Sequence, residues 1–185
     1  MKDQMKGGRM KIQVGDQLEN IQLPSIDGSI FNTTSTKGKK VLLTFYRFAS
    51  CPICNLRINT LMNHYDELGG NFTMVAIFNS SIENLKRYTA KHQAPFPILA
   101  DKTYQVFKKY GVKHSLLNFL ISQITRGPLI WKAMFKGYIP WTIKGHLGIL
   151  PVDVLIDEEG IVRNVNYGTD IGDHLPLKTI IDFSK

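Results

Sequence analysis

The sequence of 185 residues has few cysteines and prolines and no long apolar run, and each shortage excludes a class of protein. Two cysteines are too few for a disulfide framework, and eight prolines with 15 glycines do not make a collagen-like or low-complexity chain. No uninterrupted apolar run approaches the roughly 20 residues that span a bilayer. The first residues lack the apolar centre of a secretory signal, so we expect a cytoplasmic location.

Acidic residues are missing from one long stretch of the chain, between Lys102 and Val152. The basic residues of this stretch are Lys102, Lys108, Lys109, Lys113, Arg126, Lys132, Lys136 and Lys144. Their charges equal the whole net charge of +8, because the other 15 basic residues balance the 15 acidic ones. Such a stretch attracts acidic partners, nucleic acid or lipid headgroups, and a solvated basic face is an equally good interpretation. RNA-binding signatures and a phosphate-cradling glycine loop are absent, so we expect no nucleic-acid partner.

The pattern of apolar residues predicts strands that alternate with helices, behind a short N-terminal hairpin over 17–33. The other expected elements are strands at 41–48, 72–78, 151–157 and 161–167, and helices from the cysteines to Gly69-Gly70, at 81–93, at 103–111 and over 175–183. This order indicates an α/β fold with a parallel core and right-handed crossovers. We expect residues 1–11 to be a disordered tail or an added segment, and 12–185 to form one domain.

Residues 113–145 interrupt the alternation and read as an insertion with two helices, at 115–124 and 128–138. Their apolar side chains are too many for a solvated loop. We expect them first to cover the core and second to form a homodimer contact; membrane contact is the least expected role. Trp131 and Trp141 are expected to pack rather than to stack on a ligand.

The cysteines, Cys51 and Cys54, follow a buried strand and open a helix. A helix start offers unpaired N–H groups and the positive end of the macrodipole, which favour thiolate over thiol. Pro52 suits the first turn, where a missing N–H is tolerated. The spacing lets the two sulfurs meet, so that a disulfide can open and close. Arg47, at the end of the strand, either places a cation beside the sulfur or covers the surface.

Two other interpretations of the cysteines are a zinc site and a packing role. A structural zinc site needs four ligands, and the five histidines (His64, His92, His114, His146 and His174) form no paired motif. The cysteines are also compatible with a role as small buried hydrophobes. We favour a redox pair, because a strand, CxxC and a helix are the context of a redox motif.

Three residues near the C-terminus are candidates for the same site. Pro151 opens the late hairpin, and a cis bond after Leu150 would direct the backbone toward the sulfurs. Asp153 is expected to be a strand-end polar residue rather than a proton carrier. His174 is expected to be a turn histidine before the last helix rather than a site residue.

With these motifs in place, the chain resembles the thioredoxin-fold redox proteins. Among them it is similar to the peroxiredoxin-like AhpC/TSA group (alkyl hydroperoxide reductase/thiol-specific antioxidant), from about Val14 to Phe183 without much of the insertion. The resemblance lies in VGDQLENIQLPSIDGSIFNT, FYRFASCPICNLRINTL and LPVDVLIDEEGIVRNVNYG. It implies a thioredoxin-like three-layer α/β/α sandwich that reduces hydroperoxides with sulfur alone, without metal or organic cofactor. A thioredoxin-like reductant would recycle it.

The resemblance leaves open which sulfur attacks. Peroxiredoxins carry a proline, three residues, a threonine, two residues and the attacking cysteine, and these positions hold Arg47, Cys51 and Cys54. In this alternative Cys54 becomes a sulfenic acid and Cys51 resolves it. In thioredoxin-type disulfide reductases the first cysteine attacks, so Cys51 would attack a protein disulfide and Cys54 would release it. Pro52 and Pro151 are the expected substrate contacts. A third alternative is a non-enzymatic module that binds a partner or a membrane through the insertion.

Overall fold

The computed structural model describes residues 11–89, 93–141 and 143–185. Almost all of the tail expected over 1–11 lies outside the described residues, and so does the end of the helix expected over 81–93.

The predicted N-terminal hairpin is present. Strands β1 (Gln22–Pro24) and β2 (Ile30–Asn32) pair in antiparallel register, with Leu23 opposite Phe31. The turn between them contains Gly28 at φ +94°, a backbone conformation that side chains with a Cβ rarely adopt.

The rest of the chain carries five further strands and six helices among its described residues. In chain order they are β3 (Lys40–Tyr46), α1 (Pro52–Asn63), β4 (Phe72–Phe78), α2 (Ile82–Thr89), β5 (Ile98–Ala100), α3 (Gln105–Lys109), α4 (Leu116–Thr125), α5 (Gly127–Phe135), β6 (Val152–Ile156), β7 (Val162–Tyr167) and α6 (Leu177–Ser184). The order of strands and helices is the one that the hydrophobic pattern predicts, except for β5, which lies outside the expected strands.

The five strands form one sheet in the order β5-β4-β3-β6-β7. β3 and β4 run parallel, as the alternation of strands and helices predicts, and β5 continues parallel to β4. β6 joins β3 in antiparallel register and β7 continues antiparallel to β6, so the complete sheet is mixed. This register places Thr44 of β3 directly opposite Asp153 of β6.

The sheet separates two packed layers, because alternate side chains of a strand point to opposite faces. Leu42 and Tyr46 of β3 join the core on the side of α1, α2 and α6, whereas Leu43 and Phe45 join the core on the side of α3 and the hairpin. The result is an α/β/α sandwich. Cys51 and Cys54 belong to the first of these layers, at the end of β3.

The predicted ends of β3 and α1 are wrong. β3 ends at Tyr46 rather than at residue 48, so Arg47 lies in the loop beyond the strand. α1 ends at Asn63 instead of continuing to Gly69-Gly70, and a short 3-10 helix, Tyr65–Glu67, follows it. Tyr65 and Leu68 still pack against the core, which explains why the helical spacing extends past the end of the helix.

The insertion covers the core with only part of its surface. Phe119 of α4 and Leu129 of α5 pack against the layer that holds the cysteines, which agrees with the expected covering role. Trp131 and Trp141, which we expected to pack, are 61% and 78% exposed, so that expectation is wrong. None of the described helices has both the length and the apolar character needed to cross a bilayer.

Candidate active site

The loop between β3 and α1 is held in place from within the helix. The side-chain amide of Asn55 donates to the carbonyl oxygens of Ala49 and Cys51, at 2.8 and 2.9 Å. Cys51 is the N-cap residue of α1, and Pro52 occupies its first turn, as the sequence predicts. The strand, the loop and the helix start therefore fix the backbone that carries both sulfurs.

The Cys51 sulfur accepts hydrogen bonds from two directions. The Arg47 guanidinium donates to it through Nη2 at 2.9 Å, and the backbone N–H of Cys54 donates to it at 3.3 Å. Both cysteines are free thiols. Of the two roles that the sequence leaves open for Arg47, the structure has the cation beside the sulfur.

These contacts shift the pKa values of the two cysteines in opposite directions. Burial raises the pKa of Cys51, but hydrogen bonding from the Cys54 thiol, the charge of Arg47 and the Cys54 N–H together outweigh burial and lower this pKa to about 6. Burial raises the pKa of Cys54, and its hydrogen bond to Cys51 raises it further. These contacts therefore favour the negative charge of the pair at Cys51 and the proton at Cys54.

Both sulfurs are buried, with Cys51 0% and Cys54 2% exposed, which is what a packing role would also require. A packing role does not explain Arg47, which is 3% exposed and directs its charge at a sulfur. Isolated buried cations are strongly unfavourable, and a thiolate is the partner that compensates this one. The environment of Cys51 is thus polar despite its burial.

Residues from three parts of the chain cover the Arg47 guanidinium. The rings of Phe48 and Phe119 lie 5.5 and 5.7 Å from its central carbon, and the Leu147 carbonyl accepts from Nη1 at 3.4 Å. Phe119 belongs to α4, so the insertion forms part of the cover. The sequence does not reveal this contact, because 72 positions separate Arg47 from Phe119.

A cleft of about 380 Å³ opens next to the cysteine loop. Ser50 and Asn55 line it together with Arg87 and Tyr88 of α2, residues 137–139 and Trp141. Ser50 immediately precedes Cys51 in the chain, so this cleft is a candidate route by which a substrate approaches the sulfurs.

Pro151 lies directly before β6, and its carbonyl accepts from the N–H of Gly168 at 2.9 Å. The Leu150-Pro151 bond is trans, since the described residues contain no cis peptide. A cis bond is therefore not what orients this backbone. A contact between Pro151 and substrate stays a prediction.

Asp153 and His174 form a buried pair that the sequence does not predict. The His174 ring lies with Nδ1 3.0 Å from the Asp153 carboxylate, which also accepts from the Thr44 hydroxyl at 2.7 Å and from the Leu175 N–H at 2.8 Å. Asp153 is 1% exposed and lies within β6, so the expected strand-end role is wrong. His174 does precede α6, but its side chain is only 5% exposed.

The Asp153–His174 pair connects to the site through Tyr46. The Tyr46 ring lies against His174, with ring centroids 5.6 Å apart, and Arg47 follows Tyr46 in the chain. The signal that the sequence offered was a buried carboxylate in an apolar strand, PVDVLID, which needs a partner.

Among the residues that the structure describes, no second pair of zinc ligands lies around the cysteines. Within 11–89, 93–141 and 143–185, no three His, Cys, Asp or Glu side chains lie together as metal ligands would.

A mixed sheet, a loop at the end of its central strand and a reduced CxxC at a helix start together define a dithiol redox protein of thioredoxin-like fold. The AhpC/TSA family model matches residues 14–165. The chain therefore belongs to the AhpC/TSA family, as its sequence motifs indicate, and it is a thiol-dependent oxidoreductase of the peroxiredoxin type.

Individual proteins agree with this assignment. A putative peroxiredoxin Bcp of Coxiella burnetii is 27% identical over 157 residues, which cover 84% of this chain and 89% of that protein. Peroxiredoxin Bcp of Escherichia coli K12 is 31% identical over 102 residues, which cover 55% of this chain and 65% of that protein. The crystal structure of peroxidoxin BcpB from Mycobacterium tuberculosis superposes with a TM-score of 0.63 at 17% identity, covering 94% of this chain and 96% of that one.

Proposed function

We propose that this protein reduces hydroperoxides, with Cys51 as the attacking sulfur and Cys54 as the resolving one. The observation that supports this assignment is the pair of donors at Cys51, the Arg47 guanidinium and the Cys54 N–H. The thiolate is the nucleophile in such reactions, and these donors stabilise it at Cys51. This is the reverse of the order that the peroxiredoxin motif implies.

The first step would form a sulfur–oxygen bond. The Cys51 thiolate attacks the terminal, hydrogen-bearing oxygen of ROOH, the O–O bond breaks, and RO⁻ takes a proton from solvent to leave as ROH. Cys51 is oxidised to a sulfenic acid, and the peroxide is reduced by two electrons. Arg47 keeps its charge next to the reacting sulfur, because the two sulfurs raise the pKa of Arg47 more than burial lowers it.

The second step would close the disulfide. The Cys54 sulfur attacks the sulfenic sulfur of Cys51, and the hydroxyl leaves as water with the proton of the Cys54 thiol. A thioredoxin-like dithiol then reduces the disulfide and is itself oxidised. No metal or organic cofactor enters this cycle, because sulfur carries both electrons. A cytoplasmic location, where thiol reductants are abundant, would suit this cycle.

Substrate would approach through the cleft beside Ser50. Cys51 is 0% exposed, so reaction requires a displacement of side chains in the core layer that holds it, which contains Phe48 and packs against Phe119. Pro52, adjacent to Cys51, and Pro151, directly before β6, are our candidates for contacts with the bound substrate.

Reduction of protein disulfides is a second candidate function. It is favoured by the same low pKa of Cys51, about 6, because the first cysteine of CxxC attacks in thioredoxin-type enzymes. The two activities differ in their oxidant. Turnover of hydrogen peroxide with a dithiol reductant supports the peroxidase, whereas reduction of insulin disulfides without peroxide turnover supports the reductase.

The decisive experiment compares Cys51→Ser with Cys54→Ser after one equivalent of hydrogen peroxide. We expect Cys54→Ser to accumulate a sulfenic acid that dimedone traps, because the resolving thiol is absent. We expect Cys51→Ser to form none. Sulfenate in Cys51→Ser but not in Cys54→Ser would reverse the assignment, and peroxide consumption at the wild-type rate in both variants would refute dithiol chemistry.

A further inference from the structure

Helix α4 presents an apolar face that nothing in the described chain covers. Its exposed apolar residues are Leu116 (57%), Leu117 (66%), Leu120 (61%), Ile121 (50%) and Ile124 (84%). Positions i, i+1, i+4, i+5 and i+8 of a helix lie on one side. The opposite side of α4 carries Phe119 and Ser122, which face the core. In a typical surface helix the apolar side faces the core, whereas the exposed side of α4 is itself broadly apolar.

Aromatic residues are also exposed beyond α4, on α5 and in the segment that follows it. Trp131 and Phe135 of α5 are 61% and 86% exposed, and their ring centroids lie 6.2 Å apart. Trp141 and Ile143, which follow α5, are 78% and 53% exposed. Tryptophan has an apolar body and one polar N–H, which makes it the side chain most typical of a lipid–water boundary.

The charges of this segment are of one sign. Lys109 and Arg126 have acidic partners, Glu19 and Asp170. Within the described residues no carboxylate pairs with the remaining lysines that follow α3, which are Lys113, Lys132, Lys136 and Lys144. Lys132 lies on α5 next to Trp131, and Lys136 is the C-cap residue of α5 next to Phe135. Exposed apolar side chains are thus interleaved with unneutralised positive charge.

We propose that the insertion face, formed by α4, α5 and the segment up to Lys144, docks on an anionic lipid surface. Apolar and aromatic side chains would enter the boundary between headgroups and acyl chains, while the lysines contact the headgroup phosphates. A second copy of the chain fits this face less well. A two-fold dimer joins the same patch of both subunits and would oppose identical lysines without a carboxylate between them. The docking does not depend on the redox reaction, so it is testable without turnover.

The test is co-sedimentation of the full chain with vesicles made of equal parts phosphatidylglycerol and phosphatidylcholine. We expect binding to these vesicles at low salt, weaker binding at high salt, and little binding to pure phosphatidylcholine. The double variant Lys132→Gln/Lys136→Gln should bind about 25-fold more weakly, since each lysine near an anionic surface contributes about fivefold. The matched control is Lys37→Gln/Lys39→Gln, which removes two exposed lysines from the loop before β3 and should bind as wild type.

A second pair of variants tests the apolar contribution. Leu120→Ser/Ile124→Ser should lose binding about tenfold or more per residue, whereas Val14→Ser/Ile30→Ser, equally exposed but outside the insertion face, should not. All four side chains are at the surface, so the variants should fold, which circular dichroism verifies. No binding to anionic vesicles, or equal losses in test and control variants, overturns the proposal. The proposal is also overturned, in favour of a second copy as the occupant, by the following set of results. The protein does not bind vesicles, it forms a dimer whose affinity rises with salt, and Leu120→Ser/Ile124→Ser dissociates that dimer.

Discussion

The contact between Arg47 and Cys51 makes the most exacting prediction, because a single substitution separates charge from packing. Arg47→Gln keeps a side-chain amide within the loop but removes the positive charge. In the wild-type protein Nη2 donates to the Cys51 sulfur at 2.9 Å, and both groups are buried. The variant leaves the Cys54 N–H and the Cys54 thiol as donors to Cys51.

The size of the effect follows from the thiolate fraction. With a pKa of about 6, Cys51 is about 90% thiolate at pH 7, whereas an ordinary cysteine with pKa ~8.5 is about 3% thiolate. An opposite charge in direct contact lowers a pKa by roughly 1–3 units. Loss of Arg47 should therefore raise the pKa of Cys51, and a shift of about two units lowers the thiolate fraction at pH 7 about tenfold.

The assay is the rate of alkylation by iodoacetamide as a function of pH, in a Cys54→Ser background so that one thiol reacts. Serine retains a hydroxyl that can donate to the Cys51 sulfur. The midpoint of the profile reports the pKa of Cys51, and limited access of the reagent changes only the height of the profile, because it slows reaction equally at every pH. Arg163→Gln, which removes an exposed guanidinium 57% accessible to solvent, is the control and should leave the midpoint unchanged.

An unchanged midpoint in Arg47→Gln would refute the argument. It would mean that the helix start and the Cys54 hydrogen bonds alone hold the thiolate. Loss of folding would be visible by circular dichroism and would not be mistaken for a pKa effect, because an unfolded chain has an ordinary thiol and full access. A folded variant with a raised midpoint and slower peroxide reduction at pH 7 is the expected result.

The remaining predictions concern stability. His174 and other donors outweigh burial and lower the pKa of Asp153, so its contribution is complete above the unfolded value of ~3.9 and is lost as pH falls through the folded value. Asp153→Asn should therefore destabilise the protein by about 3 kcal/mol at pH 7 and flatten the acid limb of urea midpoints measured from pH 7 to pH 3. Gly69→Ala should cost about 1–3 kcal/mol, because a Cβ would collide with the Ser184 carbonyl, whereas Gly70→Ala has open space and should change the thermal midpoint little. Equal effects of the two alanines would contradict that geometry.

The parts of this structure that the sequence predicts are those that depend on neighbours in the chain. An apolar run before Cys51, a proline after it and a helical repeat beyond Cys54 suffice to place the sulfurs at a strand–helix junction. The end of α1 was missed because the repeat of apolar side chains continues into the 3-10 helix after His64. Periodicity reports which side chains face the core, and it does not distinguish two kinds of helical turn.

The parts that escaped prediction depend on distant residues. Asp153 pairs with His174, which lies 21 positions away in the sequence, and Arg47 contacts Phe119 at a much longer sequence separation. The sequence also predicts that Trp131 packs, since tryptophan side chains have a high average burial. Nothing local distinguishes an aromatic residue that covers the core from one that faces outward, because that choice depends on how α5 docks on α1.

The rate at which Cys51 reacts is the product of two quantities that different parts of the chain control. The thiolate fraction depends on Arg47 and the start of α1, which are local to the motif. Access depends on the side chains packed against the core layer that holds Cys51, among them Phe119 of α4. Phe119 is followed directly by Leu120 of the exposed face, so a shift of α4 at that face also shifts Phe119. An event at the insertion face therefore changes the height of the alkylation profile, and it moves the midpoint only as far as Phe119 alters the surroundings of Arg47. A substitution at Arg47 moves the midpoint directly.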